Sequence, residues 1–322
     1  MEYRTVGRTG VKVSSLCFGT MSFGGVADEA ESERMLRRCL EAGINFFDSA
    51  DVYQKGGAEA ILGQLMKGLR DELVITSKVF GKMGEDVNAR GLSRRHIARA
   101  VEASLRRLQT DRIEFYFVHQ FDPDTPIEES LRALDDLVRR GLILYPAVSN
   151  WAAWQIMKAL GISACQGLAR FELLQPMYNL VKRQAEVEIL PMAQAEALGV
   201  IPYSPLGGGL LTGKYAPGEA GSGRLSENAM YGKRYGDPGY HEVAARFAGY
   251  AKARGVHPAT LAVAWVGSHP AVTAPIIGAR SLSQLEPSLA AAEYAMSADE
   301  RREIAALSAT PPPAHDRSEE QG

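Results

Sequence analysis

The sequence predicts an α/β protein whose strands close into a (β/α)8 barrel, and three observations predict it. Eight short runs rich in β-branched and aromatic residues recur along the chain, with helix-like segments between most of them. Most of these runs are apolar throughout instead of alternating, as strands covered on both faces should be. Strands alternating with helices imply a parallel sheet with right-handed crossovers, and with eight units closure is the economical topology. The alternative is an open doubly wound sheet. Such a sheet usually carries GxGxxG after its first strand, whereas Gly19, Thr20, Met21, Ser22, Phe23, Gly24 and Gly25 stand there instead. The barrel, a TIM barrel in a single domain, is assigned to residues 1–310, and 311–322, opening on three prolines, reads as a disordered tail.

Taken in order, the first strand spans 13–18. A helix over 31–41 sets Met35, Leu36, Cys39 and Leu40 on one side and stops at Gly43. The second strand, 44–48, ends on Asp48, and the third, 73–79, carries Lys78 near its end. Ser93 caps a helix bearing Ile97, Val101, Ser104, Leu105 and Leu108. The fourth strand, 115–119, ends on His119. Thr125, Pro126, Ile127 and Glu128 read as a capping box with proline at the first helical position. Behind it Leu131, Leu134, Leu137 and Val138 form an apolar stripe closed by Gly141. Strands follow at 142–148, 171–174, 200–203 and 272–277, with helices at 184–197 and 241–254. Segment 205–240, after the seventh strand, is long, glycine-rich and aperiodic, the mark of a functional or disordered loop.

Composition narrows the function. Of 322 residues, 46% are hydrophobic and 23% charged, ordinary values for a soluble globular chain. The 36 basic and 38 acidic residues leave a net charge of −2, with no basic excess for nucleic acid or an anionic membrane surface. No apolar stretch approaches the ~20 residues of a membrane span, and residues 1–10 show no secretory leader. Cys17, Cys39 and Cys165, without a CxxC, make neither a disulfide framework nor a zinc site. A reducing, cytoplasmic setting without a bound metal is expected.

The chemistry of such a barrel gathers at the carboxyl ends of its strands. Those ends read Asp48, Lys78, His119, Ser149 with Asn150, Gln175, Tyr203 with Ser204, and Gly278 with Arg280. Singly, each has a bland reading: Asp48 as a turn residue, His119 as a hydrogen-bonded core histidine. Lys78 is harder to dismiss, because an unpaired buried ammonium is costly and wants a carboxylate such as Asp48. Its other role would be a Schiff-base nucleophile. Tyr53 follows Asp48 by five residues, above the same strand end. Together the four make an acid site. A phenol with a pKa near 10 is a poor acid at neutral pH, an adjacent ammonium would lower that pKa, Asp48 would hold the lysine, and His119 would hydrogen-bond a substrate oxygen. The set suits protonation of a carbonyl while a nicotinamide supplies hydride, which no side chain can carry.

These residues resemble the aldo-keto reductase superfamily, over nearly the whole chain to about residue 300. The resemblance runs through Asn45 to Tyr53, then Gly57, Glu59 and Leu62 with Gly63; through Val74 to Val79; and through Ser104 to Leu108 with Tyr116 to His119. It continues in Val148 to Asn150, Gln175 to Asn179, Tyr203 to Leu206, Gly213 with Lys214, and Ile277 to Arg280. In motif pattern it lies nearest the bacterial aldo/keto reductase and potassium-channel β-subunit-like branch. The resemblance implies NADPH, or NAD, bound in extended form without a Rossmann motif, and an aldehyde or ketone substrate. It implies Tyr53 as general acid, tuned by Lys78 and Asp48, with His119 orienting the carbonyl. Ser149, Asn150 and Gln175 would hold the nicotinamide carboxamide, Tyr203 would stack on its ring, and Thr20 and Met21 would line the ribose side. Ser204, Pro205, Leu206, Gly208, Lys214 and Arg224 would cover the pyrophosphate. Gly278, Arg280, Gln284 and Ser288 would meet the adenosine end, where a guanidinium suits a 2′-phosphate. Phe23, Phe80, Phe121 and Trp151 are candidates for the substrate wall. One departure stands out: the family's usual glutamate and asparagine near the adenine are Pro287 and Ser288 here.

Two other readings compete: a nicotinamide-binding regulatory module with little turnover, and a Schiff-base lyase using Lys78. Residues 208–214 also fit GxxxxGK, but Tyr215 stands where a P-loop needs serine or threonine.

Overall fold

The computed structural model describes residues 1–215 and 223–315. The chain opens with a hairpin, β1 (Tyr3–Thr5) and β2 (Lys12–Ser14), and then runs β3 (Cys17–Gly19), α1 (Glu29–Glu41), β4 (Phe46–Asp48) and α2 (Gly57–Leu65). There follow β5 (Val74–Val79), α3 (Arg94–Leu108), β6 (Ile113–Val118), α4 (Ile127–Arg139), β7 (Ile143–Ser149), α5 (Ala153–Gln166) and β8 (Leu173–Gln175). Last come α6 (Ile189–Ala195), β9 (Gly199–Val200), α7 (Arg224–Glu227), α8 (Ala229–Tyr235), α9 (Pro238–Ala253), α10 (Pro258–Gly267), β10 (Ile276–Ile277), α11 (Leu282–Leu289) and α12 (Ala298–Ala305).

Eight strands form one parallel sheet in the order β10-β3-β4-β5-β6-β7-β8-β9. Its two end strands meet: the Thr273 amide donates to the Val200 carbonyl at 2.8 Å and the Ile276 amide to the Pro202 carbonyl at 2.9 Å. The sheet therefore closes into a (β/α)8 barrel with no free edge. Val6 and Val13 of the hairpin pack with the axis-facing residues Phe46, Phe115 and Leu173, plugging the amino end of the barrel. Among the described residues the hairpin covers the amino end of the axis, so the carboxyl end is the open mouth of the barrel. Among the described residues no helix is long and apolar enough to cross a membrane.

Several boundaries differ from the sequence reading, each for a local reason. The run 13–18 is two strands. At its middle the Ser14 amide donates to the Asn45 side chain at 2.8 Å and the Ser14 hydroxyl to the Leu16 carbonyl at 2.7 Å, bonds that replace a sheet ladder. The helix read over 184–197 breaks, and only α6 is α-helical. Pro191 has no amide hydrogen and its ring clashes with the carbonyl four residues back, so the helix restarts at Ile189. The capping box before α4 does not form. Pro126 is the cap residue, and the Thr125 hydroxyl donates instead to Asp122 at 2.8 Å. The aperiodic segment 205–240 is built of short pieces: a 3-10 turn over Gly207–Thr212, then α7, α8 and the start of α9, with 216–222 outside the described residues. The tail expectation falls partly outside as well; residues 311–315 are neither helix nor strand.

Candidate active site

Side chains on a strand alternate faces, so every second residue points to the barrel axis. Phe46, Val74, Phe115, Phe117, Ala147, Leu173 and Ile201 fill that axis. Two residues further along the same faces the chemistry changes. Phe46 leads to Asp48, Val74 to Thr76 and Lys78, Phe117 to His119, Ala147 to Ser149, Leu173 to Gln175 and Ile201 to Tyr203. A polar layer thus sits on an apolar one. Asp48, Lys78 and His119 belong to it by strand parity, and Tyr53, the fourth member of the tetrad, stands on the 3-10 turn that follows β4.

Lys78 is 0% exposed and Asp48 2%. The Lys78 ammonium donates to both Asp48 oxygens, at 2.8 and 2.7 Å, to the Ser49 carbonyl at 2.6 Å, and to the Tyr53 hydroxyl at 3.4 Å. Asp48 Oδ1 also accepts from Thr76 Oγ1 at 2.6 Å and Gln175 Nε2 at 2.9 Å. Burial pushes the Lys78 pKa down, but Asp48 and Tyr53 together push it up further, above the usual lysine value. The amine is therefore a fixed cation and is not free to act as a nucleophile.

Tyr53 is half-buried over this pair, its ring 5.0 Å from the ammonium. The expected fall in its pKa is not what the site produces. Burial raises it, Lys78 pulls it back, Asp48 raises it again, and the net shift is upward. The lysine charge is largely cancelled by its own carboxylate, so Tyr53 stays a phenol at neutral pH, the form a proton donor needs. The ring is presented by a strained turn: Gln54 and Lys55 have φ of 50° and 53°, and Gly56 has 93°. Asn150 (φ 59°) and Ser204 (φ 58°) border the same mouth, so four of the six non-glycine residues with positive φ among those described surround it. Such backbone strain concentrates at functional sites.

His119 lies just past β6, its ring edge-on to Tyr53 with centroids 6.2 Å apart. Burial and the Lys78 charge lower its pKa to about 3. The imidazole is neutral near pH 7 and can donate one N–H to an oxygen beside Tyr53.

The Asn150 amide donates to the His119 carbonyl at 2.9 Å and to Ser149 Oγ at 3.0 Å, and the Tyr203 hydroxyl donates to Asn150 Oδ1 at 2.7 Å. Ser149 Oγ in turn donates to the Gln175 carbonyl at 2.8 Å. Ser149, Asn150, Gln175 and Tyr203 thus lie together beside the tetrad. Gln175 has a role the sequence did not suggest: its amide nitrogen turns inward to Asp48. Thr76 was also missed, although its place two residues before Lys78 puts it on the same face. The Thr20 amide donates to the Asp48 carbonyl at 2.9 Å, beside a half-buried Met21.

Beyond Ser204, buried Pro205 and half-buried Leu206, Gly207, Gly208 and Gly209 take φ of 57°, 68° and 98°. A side chain at Gly208 would meet Tyr231 and Leu225 within 3.1 Å. Lys214 lies 5.1 Å from the Tyr215 ring, and Arg224 and Arg234 lie 5.1 and 5.3 Å from the centre of the Tyr231 ring. Next to exposed Gly278, the Arg280 guanidinium pairs with Glu227 at 2.6 Å, and its amide faces the Gln284 side chain at 3.4 Å. Ser288 is fully buried with an unpartnered hydroxyl. On the substrate side, Phe80 and Phe121 are half-open. Trp151 is buried between Phe121 and Phe171, and Phe23 is buried against Phe18.

The model of the aldo/keto reductase family matches residues 15–309. The chain is 37% identical over 307 residues to the uncharacterized oxidoreductase YrpG of Bacillus subtilis, covering 92% of each. It is 36% identical over 302 residues to a probable voltage-gated potassium channel subunit beta of Oryza sativa, covering 88% of this chain and 89% of the relative. A putative subunit of the same kind from Schizosaccharomyces pombe is 34% identical over 305 residues, covering 91% of this chain and 89% of the relative.

Proposed function

Since the chain belongs to the aldo/keto reductase family, we propose that it is an oxidoreductase that reduces an aldehyde or ketone to an alcohol with NADPH, reversibly, and that Tyr53 is its proton donor. The observation that carries this is a phenol kept protonated within 3.4 Å of a fixed ammonium at the one open end of the barrel.

The residues present fit a nicotinamide dinucleotide. Amide and hydroxyl groups cluster beside Tyr53, and beyond Ser204 the chain supplies three consecutive glycines and the cations Lys214, Arg224, Arg234 and Arg280. Such groups suit a carboxamide and a pyrophosphate. When bound, the cofactor supplies hydride. The rest falls to this chain. His119, neutral, donates to the carbonyl oxygen and fixes its position. Tyr53 gives its proton to that oxygen as negative charge develops there. Lys78 stabilises the phenolate left behind, and Asp48, braced by Thr76 and Gln175, holds Lys78 in place. Phe80 and Phe121 give the entrance an apolar wall.

The test is loss of reduced-nicotinamide absorbance across a panel of aldehydes and ketones. Turnover that follows carbonyl concentration supports the reading. Tight cofactor binding without turnover would favour the second reading, a regulatory module, which draws on relatives named as potassium channel subunits. The lyase reading has against it the ion pair that keeps Lys78 protonated.

Coenzyme choice rests on Arg280. Its partner Glu227 is half exposed and can give it up to a phosphate. A charge-assisted hydrogen bond contributes about 1.5–3 kcal/mol. Arg280→Ala should therefore raise the Kd for NADPH by roughly ten- to a hundredfold and leave that for NADH nearly unchanged. Fluorescence titration of both cofactors checks this.

A further inference from the structure

A second polar cluster lies behind the barrel wall, on the face opposite to the tetrad. Ser77 and Tyr116 point outward from β5 and β6, beneath α2 and α3. Glu59, 0% exposed on α2, accepts from Ser77 Oγ at 2.5 Å and from Arg107 Nε of α3 at 2.7 Å. Gly56, which ends the turn bearing Tyr53, rests on Arg107 so closely that a side chain there would come within 2.6 Å of it.

Asp51 sits between this cluster and the tetrad, two residues before Tyr53. It is 0% exposed, and neither carboxylate oxygen has a side-chain hydrogen-bond partner; the Val52 backbone amide faces it. Its amide donates to the Lys78 carbonyl at 3.3 Å, tying the turn to the strand that carries the catalytic ammonium. The charges around it are already matched. Arg107 is committed to Glu59, and Lys78 to Asp48. An ionised Asp51 would be a lone buried negative charge, a costly state.

We propose that Asp51 is a positioning residue for the proton donor: a second buried carboxyl that is protonated while Tyr53 acts, and that weakens Tyr53 as an acid when it ionises. The proposal rests on the reductase reading of the same site. Burial first, then the Glu59 charge, raise the Asp51 pKa, while Arg107, the Val52 amide and Lys78 lower it, leaving it at about 7. Tyr116 of β6 is coupled to it electrostatically, its hydroxyl facing Ser104 of α3. Glu59 of α2, Arg107 of α3, Lys78 of β5 and Tyr116 of β6 thus act on Asp51 from the elements packed around it. The sign follows from charge. As pH rises through neutrality Asp51 becomes anionic close to Lys78, the phenolate of Tyr53 is less stabilised, and carbonyl reduction slows.

Two measurements test this. In the pH profile of kcat for reduction, the wild-type protein should lose activity through one ionisation near neutrality. Asp51→Asn, which imitates the protonated carboxyl, should abolish that ionisation, keep the low-pH kcat within about threefold, and leave the KM for NADPH unchanged. A wild-type profile flat across neutrality, or an unchanged profile in Asp51→Asn, would overturn the proposal; a purely structural role would lower thermal stability without moving the profile. The second measurement needs no turnover. Infrared difference spectra of the free wild-type protein should show a carboxylic acid band that titrates near neutrality and is missing from Asp51→Asn. If no carbonyl is reduced but the band is present, the reductase reading fails and the ionisation of Asp51 stands. If the band is absent, the proposal fails by itself, even should Asp51→Asn not fold.

Discussion

Tyr53→Phe should lower kcat for carbonyl reduction by about 10²- to 10⁴-fold, the usual contribution of a positioned general acid, and leave the Kd for NADPH within about twofold. The substitution removes one oxygen and keeps the ring. The ring is what packs edge-on to His119 and lies 5.0 Å from the Lys78 ammonium. Lys78 loses its longest and weakest contact, the 3.4 Å bond, and keeps those to Asp48 and Ser49. The fold and cofactor groove therefore survive, and the loss can be assigned to the proton. Stopped-flow measurement of hydride transfer beside fluorescence titration of NADPH separates the two effects. A variant with full kcat would remove Tyr53 from the role of acid. His119 gives a companion expectation for the pH profile. With its pKa held at about 3 by burial and the Lys78 charge, it stays neutral above that pH, so any ionisation near neutrality belongs to another group.

How much of this was legible in the sequence follows from the range of the forces involved. The eight barrel strands were read because burial on both faces leaves an uninterrupted apolar run. The meeting of Asp48, Lys78 and His119 was legible because strand ends in such a barrel converge and each of these residues lies at or near the end of a run, whereas the placement of Tyr53 depends on the turn after β4. Contacts that depend on which face a neighbouring strand presents were not legible. The bond from Gln175 to Asp48 joins residues 127 apart in sequence, and no local pattern marks it. The outward parity of Ser77 and Tyr116 could have been counted, but Glu59, which accepts from Ser77, and Arg107, which pairs with Glu59, come from helices whose rotation the sequence does not state. Asp51 lies inside the Asn45 to Tyr53 stretch with no signal of its own in the sequence, and only its burial distinguishes it. The Tyr53 pKa was misjudged for a related reason. The lysine was weighed as a free charge, whereas its pairing with Asp48 cancels most of its pull and leaves burial to decide the direction.

Lys78→Met should cost the most stability of any single change at the site, and pairing it with Asp48→Asn should restore much of it without restoring activity. Removing one member of a buried ion pair leaves the other uncompensated, at about 3–5 kcal/mol. For a chain of this size that is a fall in Tm of about 4–7 °C. The stability contributed by the raised Lys78 pKa is complete below the ordinary lysine value of about 10.4 and is lost only at higher pH, so at neutral pH the full effect should appear. In the double variant no buried charge is left alone. The asparagine introduced at position 48 can still accept from Thr76 and Gln175, and the methionine introduced at position 78 fills the volume of the lysine stem. Replacing both members of a buried pair with neutral groups is often close to neutral for folding, so thermal melts should separate the single and double variants clearly. Activity should not follow stability. Neither variant has a cation to stabilise the Tyr53 phenolate, and both should fall by a factor comparable to Tyr53→Phe. Recovery of turnover together with Tm in the double variant would mean that Lys78 and Asp48 serve the fold alone, and that the phenol needs no ammonium beside it.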